Sequence, residues 1–229
     1  MRQALFWVKM APYIPYLLRC AKKAKAMPFE ERYAYAREVL EIVLKKLHVE
    51  IHVFGTEHLV KDEPVLFVGN HQSSIDAFVY LYANSVANRP VSKVEGKKIP
   101  VLSAWYDALG TIYFDRSDMR DALRMVKDVT QALIHGDSVT IFPEGTRSKS
   151  QHMGEFKPGA LKPAMMAKKA IQPFALVNAY IPLDSNEEIK PVYCIFLPAI
   201  PYESIKDKST TEVAAFVQNQ IREAIRQYA

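Results

Sequence analysis

The sequence has little with which to cross-link itself or hold a metal. Its 229 residues include two cysteines, Cys20 and Cys194, which lie far apart and match no metal or redox spacing. No disulfide framework is implied, and a reducing, cytosolic setting fits. The Gly-x-Ser-x-Gly turn that a serine hydrolase would want is absent, and so is any His-Asp dipeptide of the kind a metal phosphohydrolase would want. No apolar run reaches the roughly 20 residues that a membrane-spanning helix needs. The richest stretch, ALFWVKMAPYIPYLL at 4–18, is interrupted by Lys9, Pro12 and Pro15. No small-x-small site follows a clean apolar core there, so a cleaved signal peptide is not expected. Internal repeats, low-complexity segments, and helix-turn-helix, zinc-finger or aromatic β-platform signatures are also lacking. A hydrophobic fraction of 49% is that of a globular chain. The length allows one sizeable domain with a full core and a small appendage.

The net charge of +5 is unevenly placed. Residues 1–48 hold ten Lys/Arg against four Glu, which is +6 and leaves about −1 for the rest. A basic appendage on a near-neutral body points to an anionic partner, either lipid headgroups or nucleic acid. With no nucleic-acid signature in the chain, lipid is favoured. Arg2, Lys9 and Tyr16 repeat at seven-residue spacing and share one helical face, with Leu5, Trp7, Val8, Ala11, Ile14 and Leu18 around the rest. Trp and Tyr mixed with Leu, followed by Arg19, Lys22, Lys23 and Lys25, read as a segment lying in the bilayer interface. Each cation contributes roughly 1 kcal/mol against anionic lipid. The plainer reading is a helix packed on the core with a solvated basic turn. After the break at Met27-Pro28, the apolar stripe Tyr33, Ala36, Leu40, Val43 and Leu47, with Glu41 four residues before Lys45, predicts a helix over 29–47. Residues 1–48 are therefore expected to form a helical hairpin that anchors the chain to a membrane through residues 1–26.

Residues 49–229 alternate strands and helices. Strands are expected at 49–54, 64–69, 90–94, 111–114, 138–142, near 171–180 and at 191–198. Helices are expected at 73–84, 99–108, about 159–169 and 210–228, and from an N-cap at Ser117-Asp118 to Gly136. This order predicts an α/β fold, a single domain with a mostly parallel central sheet flanked by helices.

Two motifs fall where strands end, the edge at which open α/β sheets bind ligands. The first is Asn70-His71-Gln72-Ser73-Ser74-Ile75-Asp76. A neutral imidazole can take a proton from a hydroxyl, and a carboxylate on its other nitrogen fixes the tautomer and stabilises the imidazolium. An unperturbed His titrates near pH ~6.5, and a positioned base contributes roughly 10²–10⁴-fold in rate. Ser73-x-x-Asp76 also fits a capping box, which gives Asp76 a purely structural alternative and leaves His71 as a loop histidine. The second motif is Phe142-Pro143-Glu144-Gly145-Thr146-Arg147-Ser148. Gly145 permits positive φ, Thr146 and Ser148 offer hydroxyls, and Arg147 presents a planar fork suited to phosphate. Asp115-Arg116 and Lys93 bring further cations to strand ends. Ordinary surface salt bridges are the alternative for each. Cations gathered beside a His/Asp pair point to a phosphorylated substrate with a hydroxyl to be activated. His48 and His52 lie across a helix–strand junction where i, i+4 geometry fails, and no metal site is expected there or elsewhere.

These blocks resemble the glycerophospholipid acyltransferase family. Residues 70–76 fit its His-x4-Asp block, Gly110-Thr111-Ile112-Tyr113-Phe114-Asp115-Arg116 its second block, and residues 142–148 its third. Lys93-Val94-Glu95, Pro100 and Phe156-Lys157-Pro158-Gly159 fit the connecting pattern, and Ile171-Gln172-Pro173-Phe174 matches the fourth block more loosely. The resemblance covers roughly residues 50–200. It implies acylation of the 2-hydroxyl of lysophosphatidic acid by a thioester on coenzyme A or acyl carrier protein, with no further cofactor. It implies that His71 is the base, that Asp76 orients it, and that Arg147, Lys93 and Arg116 hold the phosphate. Glu144 is expected to position the acceptor or buttress Arg147, while Gly145 and Thr146 shape the binding turn. A protein held at the cytoplasmic face of a membrane, peripheral or monotopic, follows from the same resemblance. The blocks equally admit glycerol-3-phosphate or another lysolipid as acceptor. A non-catalytic peripheral membrane protein is the rival of a different class.

Overall fold

The computed structural model describes Val8 and residues 10–185, 187–188 and 190–228. Arg2, Leu5, Trp7 and Lys9, expected on one helix with Tyr16, lie outside the described residues. The described chain opens with a 3-10 turn, Ala11–Tyr13, that runs into helix α1, Ile14–Ala24, and then α2, Phe29–Lys46. Pro28 stands immediately before α2, where a residue that cannot donate costs nothing. Leu17, Cys20, Ala21 and Ala24 are buried on α1, and Tyr33, Ala36, Val39, Leu40 and Leu44 on α2. Glu41 and Lys45 form the expected pair at 2.7 Å.

Among the described residues seven strands make one sheet: β1 Ile51–Phe54, β2 Leu66–Gly69, β3 Asn88–Lys93, β4 Ile112–Phe114, β5 Ser138–Ile141, β6 Ile171–Val177 and β7 Val192–Phe196. Their order is β1-β7-β6-β2-β5-β3-β4. Every neighbouring pair is parallel except β6 with β7. The expected α/β fold with a mostly parallel sheet is what forms.

The helices of the body are α3 Asp76–Ala83, α4 Pro100–Ala108, α5 Met119–Ile134, α6 Lys162–Ala167, α7 Ile181–Asp184 and α8 Thr210–Tyr228. Asp118 caps α5 by accepting from the Arg120 N–H at 2.8 Å. The single helix expected over 159–169 is a 3-10 turn, Pro158–Ala160, followed by the short α6, which Lys168 ends in a left-handed conformation.

Alternation along β2 sorts the core into two layers. Leu66 and Val68 face a cluster that includes Met125, Val129 and Leu133 of α5 and Val217 and Ile221 of α8. Phe67 faces the other cluster, with Val79 of α3 and Leu40 and Leu44 of α2. The hairpin thus packs on the body: Leu17 and Val39 share a cluster with Val101 of α4. Arg32 fastens the turn between α1 and α2 by donating to the carbonyls of Ala108 (2.9 Å) and Met27 (2.8 Å). Among the described residues no helix is long and apolar enough to cross a membrane.

Candidate active site

The site is built where β2 and its parallel neighbour β5 end together. Gly69 closes β2. A Cβ there would stand 2.2 Å from the Phe174 ring, so only glycine lets that ring cross beneath the strand end. Beyond it the Asn70 side chain takes over the ladder with β6. Its amide donates to the Leu176 carbonyl at 2.9 Å, and its oxygen accepts from the Leu176 N–H at 2.7 Å. Gln72 continues the seam by accepting from the Ala179 N–H at 2.9 Å. His71 is therefore carried on a loop whose flanks are bonded to the next strand.

The His71 Nδ1–H donates to Asp76 Oδ2 at 2.6 Å. The same oxygen accepts from the main-chain N–H groups of Gln72 at 2.5 Å and Ser73 at 2.9 Å. Placing the Nδ1 proton toward a carboxylate leaves the lone pair on Nε2, the form that can accept a proton. Asp76 is 0% exposed while the His71 side chain is 21% exposed, so the base reaches solvent and its partner does not. Burial pushes the Asp76 carboxyl up from its usual range, and the His71 and main-chain donors pull it part of the way back. The Phe142 ring stacks on His71 with centroids 4.6 Å apart, which fixes the plane of the imidazole.

Both sequence readings of Asp76 hold at once. It takes the Ser73 N–H as a capping box requires, and it also binds His71. The reciprocal half of the box does not form: the Asp76 N–H points to the Ser73 carbonyl at 3.5 Å, and the Ser73 hydroxyl donates to Asp184. The helix expected from residue 73 begins at Asp76.

The second motif leaves β5 at Ile141. Gly145 takes φ +66°, the left-handed conformation that glycine adopts without penalty. Glu144 is 4% exposed, and both of its oxygens are used. One accepts from the His71 N–H at 2.6 Å and the other from the Gly154 N–H at 2.7 Å. Glu144 thus holds the backbone of the histidine, where the sequence had set it against the acceptor or Arg147. Its burial raises its carboxyl pKa. Arg147 donates through Nη1 to the Ser74 hydroxyl. The Ser148 and Lys149 N–H groups donate to the carbonyls of His71 (2.9 Å) and Gln72 (3.0 Å), joining the two motifs main chain to main chain.

Lys93 ends β3. Partial burial lowers its pKa, and the nearby guanidinium groups of Arg116 and Arg147 lower it further. The Glu95 carboxylate opposes this in part, and the like charges of Lys93, Arg116 and Arg147, each from a different strand end, repel one another in a way that an anion would relieve. Thr146 is exposed beside Arg147. Among the described residues no group of three or more His, Cys, Asp or Glu side chains is arranged to hold a metal.

An apolar cavity opens behind Phe142, between the hairpin, α3, α4 and the sheet. Ile14 and Leu17 of α1, Phe78 of α3, Leu102 and Trp105 of α4, and Phe142 itself are among its walls. The polar groups that border it bond to one another: the Asn88 amide donates to the Tyr33 hydroxyl at 2.7 Å, and the Thr140 hydroxyl donates to the Asn88 oxygen at 2.5 Å. Phe142 belongs to both the cavity wall and the His71 stack, so the two spaces share a side chain. The sequence reading assigned no individual role to Phe142, Asn70, Gln72 or Asp184, and gave Ser73 only that of a helix cap. The apolar character of Phe142 at a strand end and the capping pattern at Ser73 were the local signals.

Comparison with known proteins agrees with this geometry. The family model described as Acyltransferase matches residues 50–177, more than half of the chain. A probable 1-acyl-sn-glycerol-3-phosphate acyltransferase of Mycoplasma genitalium is 33% identical over 139 residues, covering 58% of this chain and 52% of that protein. The 1-acyl-sn-glycerol-3-phosphate acyltransferase alpha of Bos taurus is 27% identical over 238 residues, covering 98% of this chain and 81% of that one. The chain spans about half the length of the first curated relatives it matches. Among solved structures, the 1-acyl-sn-glycerophosphate (LPA) acyltransferase PlsC of Thermotoga maritima superposes with a TM-score of 0.79 at 20% identity, covering 100% of this chain and 98% of that one. That likeness speaks for the fold. The family match, whose span includes His71, Asp76 and Glu144, shows that the chain belongs to the Acyltransferase family.

Proposed function

We propose that this chain acylates the 2-hydroxyl of lysophosphatidic acid, using an acyl thioester carried by coenzyme A or acyl carrier protein, and releases phosphatidic acid. The observation that carries the reading is the His71 Nδ1–Asp76 contact of 2.6 Å, which leaves Nε2 free to act as a base. His71 Nε2 takes the hydroxyl proton as the oxygen attacks the thioester carbonyl. Asp76 stabilises the imidazolium that forms. Collapse of the tetrahedral oxyanion expels the thiolate, which recovers the proton from the imidazolium. An ester and a free thiol result, with no acyl-enzyme and no metal, because a thioester is already activated.

Lys93, Arg116 and Arg147 hold the acceptor phosphate in this scheme, Arg147 by its planar fork. Thr146 borders that pocket. Gly145 keeps the turn open, and neighbouring main-chain N–H groups face the oxyanion. Glu144 acts by keeping His71 in place. The cavity behind Phe142 supports a hydrocarbon-bearing substrate, because its walls are apolar and one of them touches the base. The exposed Arg19, Lys22 and Lys23 of α1 support contact between the hairpin and an anionic membrane surface, where such a substrate resides.

The test is incubation with lysophosphatidic acid and each thioester in turn, followed by lipid separation. Phosphatidic acid and an equal amount of thiol are expected. Product from glycerol-3-phosphate or another lysolipid only would keep the acyl transfer and replace the acceptor.

A further inference from the structure

The geometry points to Asp184 as a positioning residue for the His71–Asp76 pair, acting through Ser73. Ser73 is fully buried, and its two donors go to two different carboxylates. Its main-chain N–H donates to Asp76 Oδ2 at 2.9 Å, and its hydroxyl donates to Asp184 Oδ2 at 2.5 Å. A buried serine hydroxyl must find a partner, and the bond to Asp184 favours one χ1 rotamer and restrains the residue that carries it. The N–H of this residue is one of the three donors that set where Asp76 Oδ2 lies. A displacement there passes directly to His71 Nδ1, which shares the same oxygen.

The chain presents Asp184 from a braced segment. After β6 it turns at Asn178, which holds a left-handed φ of +61° and donates its amide to the Pro191 carbonyl at 3.1 Å. α7 follows, with Ile181 fully buried and the Asp184 N–H donating to the Tyr180 carbonyl at 2.8 Å. The contact between Gln72 and Ala179 lies on the same segment. The segment after β6 therefore grips the His71 loop at two consecutive residues, one through main chain and one through Asp184.

The proposal rests on the acyl-transfer reading for its kinetic arm only; a magnetic-resonance arm needs no substrate. Asp184→Ala and Asp184→Asn both remove the charge, but asparagine keeps an oxygen that can accept from Ser73. A defect shared by Asp184→Ala and Ser73→Ala and repaired in Asp184→Asn reads the Ser73 bond. Asp184→Ala is expected to lower kcat about tenfold while KM for the acceptor stays within about twofold. Asp184→Asn is expected to recover most of that loss. Ser73→Ala is expected to lower kcat as well, and the double variant to lose less than the sum of the two single losses, because the Ser73–Asp184 bond is counted in both. In 15N-histidine-labelled protein, the His71 Nδ1 proton, identified by its loss in His71→Ala, should shift in Asp184→Ala and keep its wild-type position in Asp184→Asn. Equal losses in the Ala and Asn variants, a loss confined to KM, additive losses in the double variant, or an unmoved Nδ1 proton in Asp184→Ala would each overturn the assignment. If wild-type protein fails to acylate lysophosphatidic acid, the acceptor reading falls while the Nδ1 proton still decides the role of Asp184.

Discussion

Replacing Asp76 by asparagine separates charge from geometry at this site. Asp76 Oδ2 receives three donors within 2.9 Å, from His71 Nδ1, Gln72 N and Ser73 N. An asparagine must meet them with its oxygen, because turning its NH2 that way would face three donors with a fourth. The His71 tautomer is therefore preserved, and what is lost is the charge that stabilises the imidazolium. For charges about 4 Å apart at an effective dielectric of about 20, that attraction is worth about 4 kcal/mol. At about 1.36 kcal/mol per decade, kcat should fall about 10²–10³-fold. The other oxygen, Oδ1, is buried without a partner among the described residues, so the asparagine NH2 placed there costs about 1–3 kcal/mol of stability. The assay is thiol release under saturating substrates, with a thermal melt of each variant alongside. A kcat within about tenfold of wild type would refute imidazolium stabilisation by Asp76. A loss beyond about 10⁴ would refute the orientation argument, since it would mean a flipped amide and the wrong tautomer.

Glu144→Gln leaves one buried N–H, that of His71 or Gly154, facing an amide donor. It should cost about 1–3 kcal/mol and lower Tm by about 2–4 °C for each of them. Burial raises the Glu144 pKa, so its contribution to stability is present below the ordinary carboxylate range and is lost as pH rises through the raised value. Melts across pH 4–8 should therefore decline less steeply in Glu144→Gln, and identical slopes would contradict this. The mutual repulsion of Lys93, Arg116 and Arg147 should be relieved by a phosphate ester. At a hundredfold excess over Kd, sn-glycerol-3-phosphate should stabilise by about 2.7 kcal/mol, and Arg147→Gln should remove most of the rise in Tm. Arg19→Gln with Lys22→Gln should weaken binding to anionic liposomes by about 2 kcal/mol, or about 30-fold, at low salt. Unchanged sedimentation would remove these residues from the membrane contact.

The seven described strands were legible as short alternating or β-rich runs, several of them bounded by residues that break pairing. Ser138–Ile141, for instance, lies between Gly136-Asp137 and Pro143. Their order was not legible, since strand pairing depends on distant partners. Nothing local to Ile171–Val177 or Val192–Phe196 states that these two run antiparallel. The start of α3 was misplaced because Ser73 and Ser74 resemble helix caps, while the structure spends the Ser73 hydroxyl on Asp184, 111 residues away in sequence. Helix α7 was missed because four residues containing Pro182 carry no helical period. Within the site, His71, Asp76 and Arg147 were legible as chemistry at strand ends. Glu144 was legible as important but not in its contacts, because its two donors are main-chain groups of His71 and Gly154 that no sequence pattern marks. The Phe142 stack and the apolar cavity arise from packing between the hairpin and the body, and these meet only in the fold.

The most direct test of the central claim is the single-turnover rate of His71→Ala with lysophosphatidic acid and acyl thioester, set beside wild type and beside the melting temperatures of both. The account predicts phosphatidic acid from wild type, a loss of at least about 10²–10⁴-fold in the variant, and little change in melting, because the Asp76 oxygen keeps two main-chain donors. A folded His71→Ala protein that still transfers acyl groups within about tenfold of wild type would contradict the assignment of His71 as the base.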